Sequence, residues 1–293
     1  VRGITMSVVN TNVSASVAQA ALARNERALG AAMEKLSTGK KINSAADNAA
    51  GLAISTQMTS QIRGLGVAVS NANDAISMVN TADGALDEIT TMLQRMRELA
   101  VQAGTGTTAA TDRTYLQSEF TALRTEIDRI ADNTQWNGRN ILDGAAGGAT
   151  GVSTVAYGIG QDGTAAQTLS TSFGNFNNTT GKLSGLASKV ITGTTITSAI
   201  TVAAATITEI DVVIADVSAQ RASFGAVSNR LTHALDSLTN TKTNAEAARS
   251  QILDTDYAAA TSELARTQII QQASTAMLAQ ANAMPQTVLA LLM

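Results

Sequence analysis

The run Met58-Thr59-Ser60-Gln61-Ile62-Arg63-Gly64-Leu65-Gly66-Val67-Ala68-Val69-Ser70-Asn71-Ala72-Asn73-Asp74-Ala75-Ile76-Ser77-Met78-Val79 decides how this chain folds. Its apolar residues step by four and three, at Met58, Ile62, Leu65, Val69, Ala72, Ile76 and Val79. That is the heptad seam of helices packed side by side. The pattern continues at Ala82, Leu86, Ile89, Leu93, Met96 and Ala100, so two threes fall in succession around Val79 and the phase slips once, a stammer that overwinds a supercoil locally. Read as one helix, residues 51–103 measure about 80 Å at 1.5 Å per residue, against a radius of gyration of about 19 Å for a compact globule of this length. The reading therefore favours a rod of packed helices over a sphere. Gly64, Gly66 and Gly84 mark candidate kinks, each costing about 1 kcal/mol in a helix interior.

Working outward, Gly104-Thr105-Gly106-Thr107-Thr108 breaks this helix, and Thr111 or Asp112 offers a side-chain cap for the next. A second seam runs through Leu116, Phe120, Leu123, Ile127 and Ile130. A third, late in the chain, follows Ile210, Ile214, Val217, Phe224, Leu231, Leu235, Leu238, Ala245 and Ile252, interrupted at Arg221, Ser228, Lys242 and Arg249. Three such helices bury their seams only against one another, so the chain must go out, turn and return. Between them, residues 150–206 hold 19 Ser or Thr, eight Gly and three charges, a composition through which no helix reads. The β-branched runs at 152–159 and 190–202 suggest strands or hairpins in a small β-rich cap spanning 140–206; a disordered low-complexity tip is the alternative. The expected class is mainly α, with long antiparallel coiled-coil helices and a small β-hairpin-rich cap in mid-chain.

Both ends carry amphipathic patterns that lack a partner. Residues 257–293 contain two charges, Glu263 and Arg266, yet Ile270, Ser274, Met277, Ala281, Met284, Val288 and Leu291 keep four-three spacing. Leu22, Leu29 and Leu36 fall seven apart near the start, with Met33 on the same stripe. A lone helix of this length is marginal in water, and a charge-poor apolar face left exposed invites association. Each end is expected to order against copies of itself, with a kink at Pro285.

Composition removes most chemistry. The 293 residues are 44% hydrophobic, with eight aromatics, one Pro, one His and no Cys. No disulfide framework, thiol nucleophile, iron–sulfur cluster, thiolate zinc site or His-rich metal site can be built. With 23 acidic against 20 basic side chains there is no general cationic footprint for nucleic acid or anionic lipid. No run of about 18 uninterrupted apolar residues suggests a membrane span, and no signal-peptide pattern is read at the start. Residues 1–5 precede Met6-Ser7 and are treated as an upstream extension. His233 beside the Leu231 and Leu235 stripe reads as an ordinary histidine. The carboxylates at Asp83, Asp87, Glu88, at Glu126, Asp128, Asp132, and at Asp254, Asp256 read as solvated helix faces and caps. Gly147-Gly148 and the Gly158, Gly160 pair lack a phosphate-loop context, and Met58, Met92, Met96, Met277 and Met284 read as seam filler. Asn177 and Asn178 head sequons that matter only in a eukaryotic secretory pathway, whereas cap Ser and Thr suit O-linked sugar on composition. Lys35, Lys40 and Lys41 form a basic cluster that reads as either a docking patch or a solvated linker. No catalytic residue, metal ligand or cofactor is assigned.

Ordered motifs stand at both ends of the chain. They are Val9-Asn10-Thr11-Asn12, the run from Leu36-Ser37-Thr38-Gly39-Lys40-Lys41-Ile42-Asn43 through Asp47-Asn48 to Gly51, Asn71-Ala72-Asn73-Asp74, Leu93-Gln94-Arg95-Met96-Arg97-Glu98-Leu99 and Glu126-Ile127-Asp128-Arg129-Ile130. Toward the end come Asp254-Thr255-Asp256-Tyr257, Gln271-Gln272-Ala273, Leu278-Ala279-Gln280-Ala281-Asn282 and Pro285-Gln286. Together these motifs resemble the bacterial flagellins. Lys41, Asn48 and Trp136 depart from the family's usual Arg, Asp and Phe. The resemblance implies an inner coiled-coil domain of residues 6–50 with 254–293, and an outer helical domain of 51–253 with a short variable region. It implies a subunit exported unfolded, without a signal peptide, that polymerises into the extracellular flagellar filament for motility, an open heterologous assembly whose ends fold on docking. Implied partners are further copies of the chain, an export chaperone, and cap and hook-junction proteins. Inner-tube contacts fall to Leu22, Leu29, Met33, Leu36, Ile270, Met277, Met284 and Leu291. In flagellins recognised by the host Toll-like receptor, the matching contact residues here are Gln94, Arg95, Leu99 and Glu119. The alternative within the family is a hook–filament junction protein. Outside it, a polysaccharide-binding module would have only Tyr157, Phe173 and Phe176 to stack on, and an enzyme has no visible motif.

Overall fold

The computed structural model describes residues 11–144, 153–160, 167–177, 181–193 and 195–292, with side chains in the last helix as far as Met284. Residues 1–5, Val9-Asn10, Gly147-Gly148, Asn178 and the side chains of Val288 and Leu291 lie outside the described part. Among the described residues five long helices stand out: α1 Val13–Thr38, α2 Ala45–Ala103, α3 Ala110–Asn133, α4 Ile196–Leu253 and α5 Tyr257–Leu292. Two small antiparallel pairs sit between α3 and α4: β1 Gln135–Trp136 with β2 Arg139–Asn140, and β3 Ser153–Gly158 with β4 Thr168–Phe173. The chain divides into two compact units, Val1–Ser60 with Asn244–Met293, and Gln61–Thr243.

In the second unit the α2 seam is regular from Ala68 onward. Ala68, Ala72, Ala75, Val79, Ala82, Leu86, Ile89, Leu93, Met96, Ala100 and Ala103 are all buried, in unbroken four-three steps. The phase slip falls at Leu65 and Ala68, where two steps of three follow Ile62, and not at Val79. The physical reason is size. Val69 and Ile76 are the larger apolar residues, but Ala68 and Ala75 occupy the centre of the seam while Val69 and Ile76 pack half-buried at its flank. Small residues at the centre let neighbouring backbones approach closely.

The α4 seam answers in the same rhythm: Ala199, Ala203, Thr206, Ile210, Val213, Val217, Gln220, Phe224, Val227 and Leu231 are buried. Arg221 and Ser228 therefore do not interrupt it. The polar seam member is Gln220, whose Nε2 donates to the Ser172 carbonyl of β4 at 2.7 Å. Helix direction follows from ion pairs: Arg97 of α2 meets Asp211 of α4 at 2.7 Å, and Arg221 meets Asp83 at 2.9 Å and Asp87 at 2.7 Å, so α2 and α4 run antiparallel. The paired carboxylates raise the Arg221 guanidinium above its ordinary value, chiefly through the Asp83 hydrogen bond.

None of the described residues of 190–202 lies in a strand. Val190 to Gly193 are non-regular, and Ile196 opens α4. Its start is a reciprocal cap: the Ser198 amide donates to Thr195 Oγ1 at 3.2 Å, and the Thr195 amide donates to Ser198 Oγ at 3.0 Å. This capping and the burial of Ala199, Ala203 and Thr206 at helical spacing override the β preference of Ile, Thr and Val. Helix α3 also begins earlier than its expected cap. Ala109 is the N-cap residue and makes no side-chain cap bond, while Asp112 sits in the first turn.

Phe120, Ile127 and Ala131 of α3 close the core, joined by Phe173, Phe176, Leu183 and Leu186 from the region between α3 and α4. In β4 every second residue is buried, Leu169, Thr171 and Phe173, and the Phe173 ring lies 5.2 Å from that of Phe224. Tyr157 of β3 reaches Met78 Sδ at 3.4 Å, and burial pushes its phenol up to about 12. The β1–β2 turn is Asn137-Gly138, with φ of 49° and 74°, the double left-handed geometry of a two-residue hairpin loop. α4 is long and apolar enough to cross a membrane, but its apolar stripe packs into this helical core.

Candidate assembly interface

In the first unit α1 and α5 form an antiparallel pair. Asn12 Nδ2 donates to the Ala281 carbonyl at 2.8 Å, and Asn25 Nδ2 donates to the Thr267 carbonyl at 2.8 Å. On α1 the seam is Leu22, Asn25, Leu29, Ala32 and Leu36; on α5 it is Ala260, Leu264, Thr267, Gln271, Ser274, Leu278 and Ala281, all buried or half-buried. The most buried members are Asn25, Ala32, Ala260, Thr267 and Ala281. Every one is small or polar, so the pair gains close backbone approach and specific hydrogen bonds but little apolar burial.

Other large apolar side chains of the two helices stand outside the seam. Met33 is 55% exposed, Met277 64%, Met284 57%, Ile269 66% and Val17 65%. The expected contact residues thus divide. Leu22, Leu29, Leu36 and Ile270 sit half-buried in or beside the α1–α5 seam. Met33 lies one residue past the buried Ala32, and Met277 and Met284 lie seven apart on a flank of α5, off the seam set by Leu278 and Ala281. α5 itself continues helical through Pro285 to Leu292.

The joint between the helices is built from the motif around Gly39. Gly39 ends α1 at φ 69°, its amide donating to the Lys35 carbonyl. The Lys41 amide donates to the Leu253 carbonyl at 2.6 Å and the Thr255 amide to the Gly39 carbonyl at 2.9 Å, bridging the breaks before α2 and after α4. Asp47 Oδ2 accepts from the Ser44 amide at 2.9 Å and the Asn43 amide at 3.1 Å, and these bonds hold its carboxyl below the ordinary value. Asn48, at φ −166°, interrupts the start of α2 and accepts from the Gly51 amide at 2.8 Å. Asp256 caps α5, accepting from the Ala258 amide at 2.9 Å. A groove of about 390 Å³ runs between Ala28, Ala32, Ala259 and Ala260, with Lys35, Lys41, Asp256 and Glu263 at its rim.

In the second unit a polar face joins α2 to α3. Arg95 bonds Glu98 at 3.0 Å and Glu119 at 2.9 Å, and these partners raise its guanidinium, Glu98 foremost. Gln94 is exposed beside it. Leu99 is fully buried in the core, because it falls on the inner side of α2 between Met96 and Ala103. It supports this face from beneath and is not presented on it.

Two family models match the chain, the bacterial flagellin N-terminal helical region over residues 9–146 and the C-terminal helical region over residues 207–292. The chain belongs to the bacterial flagellin family. It is 42% identical to a flagellin of Halalkalibacterium halodurans, 41% to a flagellin of Bacillus subtilis and 34% to flagellin A of Vibrio cholerae, in each case over 97% of this chain and 99% of the relative. A flagellar hook-associated protein from Vibrio parahaemolyticus shares the fold, with a TM-score of 0.57 and 12% identity over 71% of this chain and 100% of that one. Flagellins form the extracellular filament of the bacterial flagellum. They are structural subunits and not enzymes, and they self-polymerise in association with other flagellar components. In this flagellin the two matched regions hold all five helices except the start of α4, and the residues between them contain β3 and β4.

Sequence reasoning missed three participants in these surfaces. Asn25 and Thr267 are polar, so no search for an apolar seam finds them, although both fall on its spacing. Tyr257 lies over Gly39, its Oη 2.9 Å from where a Cβ would stand. The signal for Tyr257 is the left-handed glycine itself, which demands open space on that side.

Proposed function

We propose that this flagellin assembles through the outward flanks of the α1–α5 pair, with Met33, Met277 and Met284 contacting neighbouring subunits and Leu291 extending the same seven-residue stripe. Leu22, Leu29, Leu36 and Ile270 hold the pair together within each subunit. The observation that carries this reading is the inversion of packing in the pair. Its most buried positions are small or polar, its leucines are half-buried, and Met33, Met277 and Met284 stand more than half exposed. Charge is absent from α5 beyond Arg266, so nothing on that stretch opposes burial against another subunit. A different face of each subunit meets the next, an open heterologous contact that grows into a helical filament.

The subunit is exported unfolded and its terminal helices fold on docking, so ordering entropy is met at incorporation and premature polymerisation is suppressed. An export chaperone covers α5 beforehand, and cap and hook-junction proteins bound the filament. The test is Met277→Asp and, separately, Ile270→Asp. Both are expected to abolish seeded filament growth, read as pelletable mass and negative-stain images. Circular dichroism and urea unfolding of the second unit should stay unchanged. Filaments of normal length from Met277→Asp would end the reading, and from Ile270→Asp would remove Ile270 from the pair.

A host receptor contact is proposed at Gln94, Arg95 and Glu119, supported from beneath by Leu99. The Arg95–Glu119 bridge, with side chains 49% and 44% exposed, carries this second reading. Monomer should activate a Toll-like receptor reporter and Arg95→Asp should lose that activity; no response to the wild-type monomer ends the idea.

A further inference from the structure

Methionine is distributed unevenly between the two units. In the second unit Met96 is fully buried and Met78 is 6% exposed, both in the core. In the first, Met33, Met277 and Met284 are 55%, 64% and 57% exposed. A thioether is the only oxidisable sulfur available, because the chain has no Cys. Sulfoxide formation follows access, and it converts a flexible apolar side chain into a polar, chiral one.

We propose that Met33 and Met277 are oxidation sites that withhold the unassembled subunit from the filament. The inference rests on the reading that these two side chains face neighbouring subunits. The step is a two-electron oxygen transfer from a peroxide. The thioether sulfur attacks one peroxide oxygen, the O–O bond breaks, the sulfur is oxidised to sulfoxide, and the peroxide is reduced to water. The new S=O is a strong acceptor placed on a face whose contact with the next subunit is apolar. Burying it unpaired opposes docking. The effect is one-directional in time: the free subunit is vulnerable, and docking covers the sulfur. It is also reversible, since thiol-dependent reduction returns sulfoxide to thioether with formation of a disulfide and water.

Dissociated monomer is treated with graded hydrogen peroxide, quenched, mapped by peptide mass spectrometry and offered filament seeds. Met33 and Met277 sulfoxides should form well before those of Met78 and Met96, and elongation should slow by about tenfold or more, as loss of one buried methionine contact implies. The pellet should be depleted in both sulfoxides and the supernatant enriched. Methionine sulfoxide reductases with dithiothreitol should restore elongation. In a Met284→Leu background, which removes the remaining exposed thioether of that stripe, Met33→Leu/Met277→Leu should keep elongation and resist peroxide. If that double variant fails to assemble before oxidation, the pellet-to-supernatant partition of wild-type sulfoxides decides alone. Equal sulfoxide content in pellet and supernatant, or peroxide sensitivity unchanged in the double variant, overturns the proposal. Failure of the underlying assembly reading shows separately, as normal growth of unoxidised Met277→Asp.

Discussion

Asn25 gives the most informative single substitution. It is 8% exposed, lies at a seam position of α1, and its amide donates to the Thr267 carbonyl of α5 at 2.8 Å. Asn25→Leu removes a hydrogen bond worth about 0.5–1.5 kcal/mol net and adds an apolar side chain whose near-complete burial is worth about 1.5–3 kcal/mol. The Thr267 carbonyl keeps its second lone pair within α5, so no buried acceptor is orphaned. The net expectation is a gain of about 1–2 kcal/mol, a factor of roughly 5–30 in the pairing equilibrium. Specificity should move the other way, because a lone polar seam residue fixes register at the expense of stability. A slip of one heptad displaces one helix by about 10 Å. The chain lacks cysteine, so spin labels placed by Ala20→Cys and Ala273→Cys report on α1 and α5 alone. Filaments diluted with unlabelled subunits should show one distance with Asn25. With Asn25→Leu they should show a second, longer population, because labels that start opposite one another are separated along the axis by the slip, alongside a higher dissociation temperature. A raised temperature with a single unshifted distance would refute the register argument; a lowered temperature would refute the arithmetic.

Two further substitutions or titrations follow from particular contacts. Gly39→Ala forces a side chain into φ 69°, where its Cβ meets Tyr257 Oη at 2.9 Å. The Tyr257 side chain is more than half exposed and swings aside, so the left-handed backbone sets the cost at about 1–2 kcal/mol, measured as a lower filament dissociation temperature. Tyr157 bears on alkaline stability. Burial raises its phenol from the ordinary 10.0 to about 12, so its contribution is full below the unfolded value and is lost as pH rises through the folded one. Urea midpoints of the monomer should therefore fall between about pH 10 and 12, and Tyr157→Phe should flatten that decline; an unchanged slope would assign it to other groups.

The helical class was legible because the α2 and α4 seams are long and regular, and long periodic segments survive local errors. What failed did so for reasons of size and polarity. A reading ranked by hydrophobicity chose Val69 and Ile76 for the seam centre, where Ala68 and Ala75 lie. It took Arg221 as an interruption, while Gln220 occupies the seam and Arg221 pairs with Asp83 and Asp87 beside it. β-Branched residues at 196–202 read as strand because the Thr195–Ser198 cap was not recognised. The same bias bears on the interface. Met33, Met277 and Met284 were placed on one stripe with the leucines, whereas Asn25, Ala32, Thr267 and Ala281 close the seam and the methionines remain outside.

Arg113 carries the last consequence, and its sign is counter to intuition. It is 3% exposed, its Nε has no hydrogen-bond partner, and its Nη2 reaches the Thr105 carbonyl at 3.4 Å, a long bond. A buried cation without a carboxylate faces a desolvation penalty of several kcal/mol, and a single carbonyl offsets about 1.5–3 kcal/mol of it. Arg113→Met keeps most of the packed volume and removes the charge, so the second unit should be stabilised by about 1–4 kcal/mol, read from its urea midpoint. The guanidinium ties the first turn of α3 to the break at 104–108 after α2, where Ala109 supplies no side-chain cap. If that tie is why a costly group is kept, amide exchange at residues 104–110 should accelerate in Arg113→Met even as global stability rises. Opposite movement of the two quantities distinguishes a group that specifies the turn from one that stabilises the fold. A loss of more than about 1 kcal/mol would mean that Arg113 is held by far more than the bond to Thr105.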